Sequence, residues 1–180
     1  MKLFLILCLA SFLNADVKQT MLNLYQQKDF EASCNLGYKN FSHNREDEDY
    51  ISLYAFSCLH ANNLNRLSIP IYMLKKSRES RANSAYLSVI IMQKQLLFQA
   101  LLDGYDFSGL QLPTTDYILS KVFDFYLELG VHQRKSFYIF TDKNDRKLTY
   151  KLSLSKNNRS NKIIIEEFYD STRISKHIYR

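Results

Sequence analysis

The sequence predicts an α+β protein: an N-terminal antiparallel helical-hairpin array of about five to six helices, followed by a three- to four-stranded antiparallel β meander packed on it. Three observations predict this. Up to about residue 131, apolar residues recur at helical spacing. After Gly130 the period changes to two, and Lys147–Ser155 alternates, with Leu148, Tyr150, Leu152 and Leu154 on one face and Thr149, Lys151 and Ser153 on the other. Only four glycines and two prolines interrupt 180 residues that carry thirteen tyrosines and twelve phenylalanines. Few breakers and many aromatics belong to a packed core rather than to disorder. The chain divides into a signal peptide at 1–15, a helical domain at 16–131 and the β meander at 132–180.

The first segment is read out of the fold. Lys2 supplies a positive start, Leu3 to Leu13 is an apolar run of eleven residues, and Leu13-Asn14-Ala15 offers a small residue before Asp16. This is the pattern of a secretory signal peptide cleaved after Ala15. The run is too short to span a bilayer. Export to the periplasm of a Gram-negative bacterium is the expected destination, with no transmembrane segment in the mature chain.

The helices follow in order. Asp16 to Gln27 presents Val17, Met21, Leu24 and Tyr25 on one face. Asp29 caps a helix over 30–42, NREDED at 44–49 is a charged turn, and 50–61 is the next helix. Asn62-Asn63 breaks again, and 64–76 resumes with Pro70 inside it, where the helix kinks or restarts. Asn83 to Asp103 is the central helix, capped by Asn83 and stopped by Gly104. Its polar stripe of Ser84, Ser88, Gln95 and Gln99 is narrow, so burial on most sides is expected. The run Gln93-Lys94-Gln95 argues against a membrane span. Residues 103–115 form an irregular connection, and a further helix runs from Thr115 or Asp116 to Gly130. Strands are expected at 136–141, 147–155, 162–169 and 173–179.

Cleavage would leave two cysteines, Cys34 and Cys58. Each lies twelve residues from Glu46, the middle of the charged turn, so an antiparallel hairpin sets them level. In an exported chain this makes them a disulfide candidate. The alternative is two buried free thiols. His60 sits two residues from Cys58, on another side of the helix, and no CxxC pair exists, so no metal site is read.

The segment LYQQKDFEASCNLGYKNF, Leu24 to Phe41, resembles the junction between the two helices of a tetratricopeptide repeat. The break at Asn62-Asn63-Leu64 follows Lys28-Asp29-Phe30 by 34 residues, that repeat's period. The small residue expected at the position of Arg66 is absent, and the central helix is longer than a repeat helix. An exported helical array with two cysteines is also similar to the Sel1-like cysteine-rich proteins, although their closely spaced cysteine pairs are missing. The resemblance covers about 16–77 and implies a scaffold that holds a protein partner in a groove. Tyr25, Tyr38 and Tyr54 are the partner-binding candidates.

Charge divides at the same boundary as period. Residues 132–180 carry twelve Lys/Arg against five Asp/Glu, whereas the rest is near neutral. Lys147, Lys151 and Lys162 are therefore anion-binding candidates, for an anionic envelope polymer or lipid. The alternative is a solvated face whose lysines discourage edge pairing. No nucleic-acid motif occurs. No GxSxG, HExxH, phosphate loop or paired-histidine spacing is present, so no catalytic residue and no cofactor is assigned. The expected function is a non-catalytic interaction or assembly protein of the cell envelope, with a protein partner. An envelope-binding module built on the meander, or an enzyme of unrecognised type, are the alternatives.

Overall fold

The computed structural model describes residues 17–107, 109–129, 135–156 and 160–180. The signal segment and its cut after Ala15 lie outside the described residues. The architecture is α+β, with helices first and a four-stranded antiparallel sheet after them. Two compact units divide the chain, Met1–Ala85 and Tyr86–Arg180. The division falls inside the longest helix rather than at 131, where the sequence period changes.

In the first unit, α1 (17–26) is followed by α2 (Phe30–Asn40), a 3-10 turn (Phe41–His43), α3 (Glu48–His60), a second 3-10 turn (Leu64–Arg66) and α4 (Ser68–Met73). Local chemistry sets these boundaries. The Asp29 carboxylate accepts the Ala32 N–H at 3.1 Å, and Asp47 accepts the Tyr50 N–H at 3.0 Å, so both helices start on side-chain caps. Lys18 reaches Asp47 at 2.9 Å and ties α1 to the start of α3. Pro70 falls in the first turn of α4, where its missing N–H removes no intrahelical bond. The helix therefore restarts at Ser68 rather than kinking.

The breaks after α1 and after α3 share one backbone geometry. Lys28 and Asn62 both adopt positive φ, 62° and 58°. Asp29 N–H donates to Leu24 and Lys28 N–H to Tyr25; Asn63 N–H donates to Cys58 and Asn62 N–H to Leu59. Both are Schellman-type closures, 34 positions apart in the chain. Between them, α2 and α3 pack closely at Gly37. A Cβ there would lie 2.6 Å from the Tyr54 ring and 2.8 Å from Met21 Cε. The Tyr50 hydroxyl donates to the Gly37 carbonyl at 2.8 Å, and the Ser33 and Ser57 hydroxyls meet at 2.8 Å in the core.

α5 (Arg78–Asp103) crosses the boundary between the units. It begins well before Asn83. Glu48, in the first turn of α3, accepts the N–H groups of Lys75, Lys76 and Ser77 at 2.8, 2.7 and 3.1 Å. Those bonds, that from Lys76 foremost, hold its carboxyl down at about 2. With the turn so fixed, the Ser77 hydroxyl accepts the Ser80 N–H at 2.9 Å and caps the helix. The expectation of burial on most sides is not met. Leu87, Ile90, Gln93, Lys94, Leu97 and Ala100 form one buried stripe, while Met92 is exposed and Val89 and Ile91 are half-buried. By length and composition α5 is long and apolar enough to cross a membrane; its buried stripe nevertheless includes a glutamine and a lysine. Gln93 donates to the Pro113 carbonyl at 3.1 Å and accepts from the Ser120 hydroxyl.

The second unit continues with α6 (Ile118–Glu128), β1 (Phe137–Thr141), β2 (Leu148–Lys156), β3 (Asn161–Tyr169) and β4 (Thr172–Tyr179). The strands pair in chain order, each antiparallel to the next. Tyr138, Phe140, Tyr150, Leu152, Ile163, Ile165 and Tyr179 make the buried face. α6 lies against it: Phe125 stands 5.8 Å from Phe140 and 5.7 Å from Tyr150, and Tyr126 meets Tyr138 edge-on at 5.2 Å. Leu119, Val122, Phe123 and Tyr126 are fully buried, each burial contributing about 1.5–3 kcal/mol. Lys121 pairs with the buried Asp142 at 2.5 Å, and the Tyr150 hydroxyl donates to the same carboxylate at 3.1 Å. β3 and β4 join through Asp170 and Ser171, both at positive φ, a two-residue hairpin turn.

Candidate functional site

A cleft of about 340 Å³ opens on the first unit, lined by Tyr38, Phe41, Tyr54, Asn65, Arg66, Ser68 and Ile69. Each comes from an element placed above: α2, the 3-10 turn after it, α3, the second 3-10 turn and α4. The scaffold beneath is covalently closed. Cys34 on α2 and Cys58 on α3 form a disulfide, with Cα atoms 4.8 Å apart and both residues buried. The level placement read from the charged turn is therefore met in the structure.

Arg66 organises the cleft. Its Nη1 donates to Asn35 Oδ1 at 2.8 Å and lies 3.4 Å from Cys34 Sγ. Its guanidinium sits 4.5 Å from the Tyr38 ring centroid, a cation–π stack. The position at which the sequence departs from the repeat pattern is thus the one that joins the rim of the cleft to the disulfide-linked hairpin. Burial pushes the Tyr54 hydroxyl up to about 12, with Arg66 acting in the opposite sense. The phenol stays neutral and available as a hydrogen-bond donor across the ordinary pH range.

The three tyrosine candidates separate. Tyr38 is 60% exposed and forms the rim, next to the equally exposed Ile69. Tyr54 is only 3% exposed and lines the floor of the cleft. Close packing against Gly37 and the Phe41 ring, 5.4 Å away, is what buries it. Tyr25 belongs elsewhere: its ring packs on Phe30 at 5.1 Å and His60 at 5.7 Å. Arg66 and Ile69 were not singled out from sequence. The departure at Arg66 from the repeat pattern was the available signal.

The lysine candidates do not form one open group. Lys147 pairs with Asp170 at 3.1 Å, and Lys151 stands 4.0 Å from Glu166. Lys162 makes no ion pair among the described residues and faces Ser155 across the ladder. From the register, Lys147 and Lys162 sit at opposite ends of the β2–β3 hairpin, roughly 25 Å apart.

A further constellation lies on the sheet. Ser175, His177 and Glu167 meet on β3 and β4, with His177 Nε2 2.8 Å from the Ser175 hydroxyl and 3.0 Å from Glu167 Oε1. Both partners use the same ring nitrogen. A nucleophile–base–carboxylate relay needs opposite nitrogens, and here the hydroxyl and the carboxylate share one. Strand alternation at Ser175 and His177 was its only sequence signal. Among the described residues no group of three or more His, Cys, Asp or Glu could hold a metal ion. No protein-family model, no curated protein and no solved structure matches this chain.

Proposed function

We propose that the protein is a non-catalytic interaction or assembly protein that holds a protein partner in the cleft between α2, α3 and α4. The carrying observation is a rim of exposed Tyr38, stacked by Arg66, beside exposed Ile69, over a floor formed by buried Tyr54 and half-buried Phe41. Tyrosine and arginine in a partly desolvated pocket are the residues that dominate protein interfaces. The disulfide and the Arg66 bridge keep them in place before binding, which lowers the ordering cost.

On this reading the N-terminal helices are a tetratricopeptide-like hairpin array, supported by the two matching turns 34 residues apart. The protein is exported, with the chain cleaved after Ala15 and the cell envelope as its working place. The disulfide is compatible with an oxidising compartment and supports this much.

The test is in-cell photo-crosslinking with a photoreactive amino acid at position 38 or 69, and at exposed Tyr105 as control. One or two discrete protein adducts at 38 and 69, absent at 105 and lost in Arg66→Glu, are expected. Identical adducts at all three positions, or none, would overturn the reading.

A further inference from the structure

The outer face of the sheet carries apolar and basic residues side by side. The register places Phe137, Ser153, Ile164 and Ile178 side by side across the four strands. The next row is Ile139, Lys151, Glu166 and Lys176, and the one beyond ends in Phe168 and Arg173. Lys162 extends the basic set at the other end of the sheet. All lie opposite the buried face, because successive residues on a strand alternate. Phe137, Ile139 and Ile178 are 45%, 62% and 41% exposed. Among the described residues of the four strands, four cations, Lys151, Lys162, Arg173 and Lys176, share this face with one carboxylate, Glu166, which is already engaged by Arg173 at 2.9 Å. Lys162 and Lys176 make no ion pair among the described residues.

We infer that this sheet face binds the surface of a bilayer containing anionic lipid, with Phe137, Ile139 and Ile178 entering the headgroup layer and the lysines meeting the phosphates. Charge decides against a second copy of the chain, since two such faces would bring together two surplus-positive surfaces. The exposed apolar side chains decide against a soluble polyanion, which needs cations alone and would leave Phe137, Ile139 and Ile178 in water. An apolar patch bordered by basic groups fits the bilayer interface, where buried apolar area and attraction to anionic headgroups add. This inference is independent of the cleft.

The experiment is vesicle co-sedimentation of the full chain, using phosphatidylcholine vesicles with or without about a third phosphatidylglycerol. Wild type and variants are compared in the same chain, so any contribution of the leading apolar segment cancels. Binding is expected to require phosphatidylglycerol and to weaken with salt. Replacing Lys162→Gln together with Lys176→Gln should lower partitioning about 30-fold, since each basic residue near an anionic surface is worth about fivefold. Ile139→Ser with Phe137→Ser should lower it about tenfold without changing the salt slope. Far-UV circular dichroism on each variant confirms that these exposed substitutions leave the fold intact. Equal binding to uncharged vesicles overturns the inference. So does binding of soluble polyphosphate as tight as that of vesicles and indifferent to Ile139→Ser. A wild-type dimer in light scattering, broken by Ile139→Ser, would assign the face to self-association and overturn it as well.

Discussion

Removing the Cys34–Cys58 bridge should destabilise the first unit by an amount set mainly by chain entropy. The bridge closes a loop with a sequence separation of 24. Loop-closure entropy for that length corresponds to about 3.5 kcal/mol at 25 °C, acting through the unfolded state. Against a total stability of about 5–15 kcal/mol for an ordinary domain, that is a large share. The variant is Cys34→Ala with Cys58→Ala, which adds the small cost of two lost sulfurs in a buried site. Urea unfolding followed by far-UV circular dichroism, with wild type in the presence and absence of reductant, reads the loss directly. The midpoint should fall and the denaturant slope should rise, because the unlinked unfolded chain exposes more surface. Both sulfurs belong to residues at most 1% exposed, so reductant should act on the native protein only through opening. A loss under about 1 kcal/mol would refute the chain-entropy reasoning. Two free thiols at these positions, titrated in denaturant after purification from an oxidising compartment, would refute the pairing itself.

Three further outcomes are expected. Gly37→Ala should destabilise the protein by about 1–3 kcal/mol in the same unfolding assay, because its Cβ would enter the Tyr54 ring and Met21. Ser171→Gly should raise stability by about 0.5–1 kcal/mol, since a left-handed turn position at φ 69° is relaxed by glycine. The third concerns pH. The Lys121 ammonium, then the Asn144 N–H, hold the Asp142 carboxyl down at about 2, below the unfolded value near 4. Its stabilisation is therefore complete above about pH 5 and drains as pH falls toward 2. Unfolding midpoints measured from pH 6 to pH 2 should fall less steeply in Asp142→Asn than in wild type.

Much of the fold was legible because its determinants are local. Helical and alternating periods identified the helices and all four strands, and each strand was placed to within a residue or so of its ends. The symmetric spacing of Cys34 and Cys58 about Glu46 made them a disulfide candidate, since a hairpin folds about its turn; that they are bonded rather than free came from the structure. The start of α5 was not legible. It depends on Glu48, which is 27 residues from its first partner and captures the turn at 75–77. The candidate cleft was only partly legible. Aromatic residues were found, but period does not say which of two tyrosines lies at the rim.

The sequence by itself determined the α+β layout, the order of elements, the level placement of Cys34 and Cys58 and the concentration of positive charge in the meander. These follow from period, turn chemistry and composition, which need no knowledge of neighbours. Only the tertiary structure decided that Tyr54 is floor and Tyr38 rim, that Arg66 joins the cleft to the disulfide, and that His177 uses one nitrogen for two partners. It alone also decided that Phe137, Ile164 and Ile178 form a row among lysines on the sheet's outer face. The reason is physical: burial and register are set by which elements meet, and groups from distant parts of the chain become neighbours only when the elements carrying them pack.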